Sequence, residues 1–155
     1  MDFKVEKGIT LIMLAITILI IVILTATITV VGISTIRETD EEKLISELEI
    51  IKQKVLEQYY KYEISGDARL LVGDVISETQ INELATELDV TLVEIPDNEV
   101  AKDYRRLTPE KLSVIGVNEA EYTYIVNYAS GEVINETVKK TNSGKSLYTF
   151  AKDFK

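Results

Sequence analysis

The stretch that decides the fold is residues 9–36, which read ITLIMLAITILIIVILTATITVVGISTI and contain no charged side chain. Isoleucine, valine and threonine supply 19 of these 28 residues, a composition that by itself favours β-strand. Length argues against a strand, because strands rarely exceed about ten residues, whereas about 20 apolar residues cross a bilayer as a helix. We therefore predict a transmembrane helix here, with threonine hydroxyls bonded to carbonyls one turn back.

A removable secretory signal is the alternative interpretation of this segment. The apolar region of such a signal has about 7–15 residues and ends in a small-x-small cleavage site. Residues 9–36 form a longer run, and the nearest candidate site, at residues 25–27, fits poorly. A retained helix is therefore favoured. Lys4 and Lys7 precede it, which predicts a cytoplasmic N-terminus and an extracytoplasmic location for residues 37–155.

The charge and composition of the chain exclude several classes of function. The net charge of −9 falls on residues 37–155, because the acids and bases of residues 1–8 cancel. Such an acidic domain is a poor partner for nucleic acid. The chain has neither histidine nor cysteine, and it carries no phosphate-binding loop or nucleophile motif. We therefore predict no enzymatic activity, no cofactor, no metal and no small-molecule substrate.

A short, partly basic leader that ends in glycine stands immediately before the apolar segment. Lys7 and Gly8 are followed at once by Ile9-Thr10-Leu11-Ile12. This junction resembles the prepilin-type cleavage and methylation signature of type IV pilins and type II secretion pseudopilins, which have short-leader relatives in Gram-positive bacteria. The resemblance implies that a prepilin peptidase cuts between Gly8 and Ile9 and then methylates the new N-terminus at Ile9.

The same resemblance implies that the start of the helix packs against sister helices in a filament core. The residues it places there are Ile9, Leu11, Ile12, Met13 and Ile16. The family usually has a glutamate at the position of Met13, and subunits without it are typically minor ones near a filament tip. The family's helix-breaking proline is replaced by Val30. The resemblance therefore implies a minor pilin or pseudopilin, without naming the filament system it serves.

A second helical pattern follows the apolar segment. Apolar residues recur at steps of three and four along residues 37–63 and form one stripe, with Glu57 and Lys61 paired on the other side; the stripe is Leu44, Leu48, Ile51, Val55, Tyr59 and Tyr62. We predict that this amphipathic helix continues the membrane helix. The alternative is a break near Gly32 and a new start at the capping box of residues 39–42.

Residues 64–155 predict a small α+β head. A helix is expected from about Glu78 to Leu88, because Ser77 and Gln80 form a capping box ahead of apolar residues at helical spacing. Residues 90–95 are expected to be extended, and a short helix is expected to begin at Pro109. Two strands, 121–129 and 132–138, flank a two-residue Ser-Gly turn. The predicted fold is α+β, with the long N-terminal helix packed on a small antiparallel sheet as in pilins.

A row of aromatic side chains in the first of these strands has two interpretations. Tyr122, Tyr124, Val126 and Tyr128 share one face, which favours packing on the long helix over a ligand-stacking surface. Three weaker patterns could indicate sites, but solvated charges or chance occurrence explain them better. They are a calcium site at the acidic pairs Glu41-Glu42 and Asp97 with Glu99, a polyanion site at the cluster of Lys139, Lys140 and Lys145 near Tyr148, and a glycosylation sequon at Asn135.

Two functional hypotheses follow. In the first, the chain is a filament subunit with a leader (1–8), a transmembrane helix (9–36), an amphipathic continuation (37–63) and a head (64–155). Its partners would be the lipid bilayer, a prepilin peptidase and other pilin-like subunits, at the cell membrane or in a surface filament. In the second, the leader stays on, and the chain is a membrane-tethered ectodomain that binds a ligand at the cell surface.

Overall fold

The structure is a computed structural model that describes the backbone of residues 3–154 and the side chains of residues 13–19 and 40–154. The chain divides into two compact units, Met1–Asp40 and Glu41–Lys155, which are described separately. The first element, α1, is assigned as one helix over Phe3–Ser65, with no break at Gly32 or at the capping box of residues 39–42.

The part of α1 in the second unit carries the predicted apolar stripe. Leu48, Ile51, Val55 and Tyr59 are buried in the core of that unit, and both ends of the stripe pack against it in partly buried positions. On the solvent side, the Nζ atom of Lys61 lies 2.6 Å from an oxygen of Glu57. The helical periodicity of residues 44–62 is therefore confirmed as an amphipathic helix that packs through one face.

The second unit contains a five-stranded antiparallel sheet whose strands lie in chain order. This arrangement confirms the α+β class. After α1 the described elements are a 3₁₀ turn (Ala68–Leu70), β1 (Asp74–Val75), α2 (Glu78–Leu88), β2 (Tyr104–Leu107), α3 (Pro109–Val114), β3 (Tyr124–Asn127), β4 (Glu132–Asn135) and β5 (Tyr148–Thr149).

Both faces of the sheet are covered. One face packs on α1, where Tyr124, Val126 and Val133 join the helix stripe in a common core. The opposite face packs on α2, where Ile125 and Ile134 meet the apolar side of that helix. Because side chains alternate along a strand, neighbouring residues of β3 and β4 supply the two cores in turn. The second unit therefore has a layered order of helix, sheet and helix, one layer more than the sequence predicted.

The helix starts of the head agree with their predicted positions. α2 spans Glu78–Leu88, and both reciprocal bonds of the capping box between Ser77 and Gln80 are present. α3 begins at Pro109, although the hydroxyl of Thr108 makes no capping bond. Local signals, a capping box for α2 and a proline in the first turn for α3, were therefore sufficient to place these two elements.

The predicted bounds of the two hairpin strands were wrong in detail. The turn between β3 and β4 has four residues, 128–131, because Asn127 accepts bonds from the N–H and hydroxyl of Ser130 and its carbonyl accepts from the N–H of Gly131. The strands are correspondingly shorter than 121–129 and 132–138. Residues 90–95, which were predicted to be extended, belong to no strand of the sheet, and the N–H of Val93 donates to a side-chain carboxylate instead of a neighbouring strand.

Candidate functional site

The predicted processing junction lies outside the residues whose side chains the structure describes. This holds for Gly8 and Ile9, between which cleavage is predicted, and for Leu11 and Ile12 of the predicted filament-core contact. Most of the predicted transmembrane segment, 9–36, lies outside them as well. Where the structure does describe the chain, no helix combines the length and the apolar character that a membrane crossing requires.

Residues 13–19 are the described part of the predicted filament-core contact. They form two turns of α1 that are apolar except for Thr17, and every one of their side chains is exposed. Met13 is 64% exposed and Ile16 is 50% exposed. The hydroxyl of Thr17 donates to the carbonyl of Met13 at 2.8 Å, as predicted for a threonine in an apolar helix. A helical surface that is apolar all round is normally covered by protein or lipid.

The tyrosine row packs into the core, and Tyr122 lies partly buried at its edge. Tyr124 and Tyr128 are fully buried against the α1 stripe. The hydroxyl of Tyr128 donates to the carbonyl of Val72 at 2.9 Å, and burial is the main cause that raises the pKa of both phenols. The preferred interpretation of this row is therefore confirmed.

A buried carboxylate on the opposite face of the sheet is the feature that sequence reasoning missed. Glu132 is fully buried in β4, and its two oxygens accept four hydrogen bonds, all from uncharged donors. Oε1 accepts from the N–H of Val93 at 2.9 Å and from the hydroxyl of Tyr148 at 2.8 Å. Oε2 accepts from the hydroxyls of Tyr104 at 2.5 Å and Ser130 at 2.7 Å.

This carboxylate joins four separate segments of the second unit. Tyr104 lies in β2, Ser130 in the hairpin turn, Tyr148 in β5 and Val93 in the segment 90–95 between α2 and β2. Burial is the main cause that raises the pKa of Tyr104 and of Tyr148, and the negative charge of Glu132 adds to it. Glu132 and Ile134 are two residues apart in β4 and share the face that packs on α2. An acid on an otherwise apolar strand face was therefore the signal available in the sequence.

A concave surface adjoins this buried network. It has a volume of about 410 Å³ and lies between the start of α2, the segment 90–95 and the residues that lead into β2. Ile81, Leu92 and Tyr104 contribute apolar surface to it. The charged residues that line it are four acids, Glu78, Glu94, Asp97 and Asp103, and one base, Lys102. Sequence reasoning had noticed only Asp97, in the setting of a calcium site.

The three weaker patterns of the sequence each have a structural explanation. Lys139 is paired with Glu87 at 2.7 Å, and the hydroxyl of Tyr148 is bonded to Glu132. Asn135 is fully buried, and its side-chain amide donates to the hydroxyl of Tyr124 at 3.2 Å, which leaves no access for a glycan on the folded protein.

The acidic pairs do not meet in a cluster. The carboxylate of Glu41 accepts from the N–H and hydroxyl of Ser143, and that of Glu99 accepts from the hydroxyl of Tyr59. Asp97 lies 3.7 Å from the Nζ atom of Lys102. In the described part of the chain, no group of three or more metal-ligating side chains is placed to hold an ion.

Comparison of the chain with protein-family models, with curated proteins and with solved structures found no match of any of the three kinds. Function is therefore inferred from the residues themselves. They present two candidate interaction surfaces. One is the apolar surface of residues 13–19, which lies in the first unit. The other is the acidic groove beside Glu132, which lies in the second unit.

Proposed function

We propose that this chain is a structural subunit, a minor pilin or pseudopilin of a type IV pilus, competence or secretion-type filament. It is held in the membrane by its N-terminal helix before assembly and has no enzymatic role. The observation that carries the proposal is the exposed apolar surface of residues 13–19. A surface of this kind has to be buried by lipid or by other helices, and a filament subunit uses each in turn.

Two further features support the proposal. The Lys7-Gly8 junction, which resembles the prepilin signature, ends immediately before the apolar run. In addition, the part of α1 within the second unit packs across an antiparallel sheet through Ile51 and Val55, so this helix is also a core element of the head. Met13, in place of the family's usual glutamate, favours a minor role over that of the main repeating subunit.

The test is the N-terminus of the mature protein in its own membranes. Intact mass and N-terminal sequencing should find a chain that begins with methylated Ile9. The same chain should retain residues 1–8 in a strain without prepilin peptidase. A Gly8→Val variant should also retain the leader, because the larger side chain blocks the peptidase cleft, whereas Lys7→Arg should be processed normally.

The competing function predicts a different N-terminus. If the chain is a membrane-tethered ectodomain, residues 1–8 stay attached whether or not the peptidase is present. Recovery of the full leader in wild-type cells would therefore refute the filament proposal. Sheared surface fibres provide a second measurement. A processed chain found in them at a small fraction of the main subunit would support the minor role, and a chain that forms most of the fibre mass would contradict it.

A further inference from the structure

We propose that the acidic groove beside Glu132 binds an extended, positively charged segment of a partner protein, which adds as a strand along residues 92–95. The groove and this segment belong to the second unit. The inference does not depend on whether the chain is a filament subunit.

The shape and the lining of the groove suit a peptide side chain. Its volume of about 410 Å³ falls in the range of about 300–1,000 Å³ that is usual for ligand-binding clefts. Ile76 and Ile81 line it from the start of α2 and the residues just before it, and Leu92 and Ile95 line it from the segment 90–95, which we call the groove wall. Ile76 and Ile81 are buried in the core between α2 and the sheet, so core packing holds this part of the groove lining in place.

The charge of the groove selects a cationic partner. Among the described residues, Glu78, Glu94 and Asp103 take part in no ion pair, and only Asp97 faces a base, Lys102, at 3.7 Å. The adjoining surface along α2 adds Glu83 and Asp89 without any base. Acids that line one groove repel each other, and a lysine or arginine side chain of a partner would relieve that repulsion.

The backbone of the groove wall offers unused hydrogen-bonding groups. The N–H of Val93 donates inward to Glu132, and the carbonyl of Thr91 accepts from Tyr148. In an extended chain, alternate residues direct their backbone groups to opposite sides. Leu92 and Glu94 make no hydrogen bond within the described residues, so their backbone groups remain available on the other side.

The groove wall, residues 90–95, belongs to no strand of the sheet, and Glu132 keeps it in place. Its bond to Val93 anchors the middle of the wall, while Val90 is held by a backbone bond of 3.1 Å to the carbonyl of Ala85 at the end of α2. A wall that is fixed before binding lowers the entropic cost of association. Strand addition to such an exposed backbone edge is a general mode of peptide recognition.

The experiment uses the full chain in detergent micelles and two short probe peptides. One peptide alternates lysine with valine or leucine, and the other has glutamate in place of each lysine. Binding is measured by fluorescence anisotropy, and the binding site is located by amide chemical shifts of the isotope-labelled protein. We expect the lysine peptide alone to bind, with shifts centred on Leu92 and Glu94. Equal binding of both peptides, no binding of either, or shifts centred elsewhere would overturn the proposal.

Two variants and two modified peptides separate this site from general charge attraction. Glu94→Gln with Asp103→Asn should weaken the lysine peptide about tenfold, since two ion pairs are lost. The control Glu119→Gln with Glu121→Gln removes the same charge from another exposed surface and should change binding less than about twofold. An equal loss in both variants would refute a specific groove.

The strand-addition geometry has its own test. The lysine peptide is prepared with N-methyl groups on alternate backbone amides, in one version on one edge and in a second version on the other edge. Methylation of the edge that faces Leu92 and Glu94 should abolish binding, whereas methylation of the opposite edge should have little effect. If both versions bind as the unmodified peptide does, the peptide is held by its side chains alone and the proposed strand addition is wrong.

Discussion

Removal of the Glu132 carboxylate should destabilise the second unit far more than its conversion to an amide. In Glu132→Ala, all four donors lose their acceptor. Two of them have another acceptor nearby, since Ser130 also bonds Asn127 and Tyr148 also bonds Thr91. The N–H of Val93 and the hydroxyl of Tyr104 have none among the described residues.

The expected magnitudes follow from this difference. A buried donor left without a partner costs about 1–3 kcal/mol. The two donors left without an acceptor in Glu132→Ala, together with the cavity, should therefore lower the free energy of unfolding by about 4 kcal/mol. In Glu132→Gln, the amide oxygen can still accept from Val93, and the amide N–H groups can donate to the hydroxyl oxygens of Tyr104 and Ser130. The cost should then be about 1–2 kcal/mol.

Urea titration of the full chain in detergent, followed by near-UV circular dichroism, would measure both changes. The chain has eight tyrosines and no tryptophan, so this signal reports the packing of the tyrosines. Glu119→Gln is the matched control, because that exposed acid should change stability by less than about 0.5 kcal/mol. If Glu132→Gln costs as much as Glu132→Ala, the reasoning from donor satisfaction is refuted and the negative charge itself is essential.

Three further predictions concern the same unit. Gly131 has φ +69°, and a Cβ there would lie 3.0 Å from Leu56, so Gly131→Ala should destabilise by about 1–3 kcal/mol in the urea titration; Gly144→Ala, where φ is also positive but nothing lies within 4 Å, should cost less. Burial raises the pKa of Glu47 above 4.5, so the stability present below that pH is lost as pH rises through the raised pKa; thermal melts of Glu47→Gln should lack this decline, and an identical decline would contradict it. Spectrophotometric titration should find five phenols that ionise only as the unit unfolds, above about pH 10, because burial is the main cause that raises their pKa. They are Tyr59, Tyr104, Tyr124, Tyr128 and Tyr148. Reversible ionisation of these phenols without loss of circular dichroism would contradict this prediction.

Local patterns in the sequence were sufficient for the elements whose causes are local. The stripe from Leu44 to Tyr62 and the capping box at Ser77 depend on residues three or four apart, so periodicity and capping placed α1 of the second unit and α2. The face of Tyr124 and Tyr128 followed from strand alternation together with the apolar stripe that it had to meet.

Features that depend on distant partners were not predicted. β1 and β5 have two residues each and exist only through pairing with β2 and β4, so no local pattern marks them. The segment 90–95 has strand-like residues, but the N–H of Val93 donates to a carboxylate 39 residues away in the chain. The groove combines α2 with the segment that leads from α2 into β2, and its acids are scattered in the sequence.

The buried amide of Asn135 has a consequence for the choice of an expression host. Its sequon, Asn135-Glu136-Thr137, would be recognised in the secretory pathway of a eukaryotic cell, where glycans are added to the chain as it emerges. Once β3 and β4 have paired, the amide is out of reach of the transferase. Each glycosylated molecule is therefore one in which the transferase acted before this hairpin closed. The glycosylated fraction therefore reports the rate of glycan transfer relative to the rate at which the β3–β4 hairpin closes. A chain that carries the glycan cannot complete its sheet.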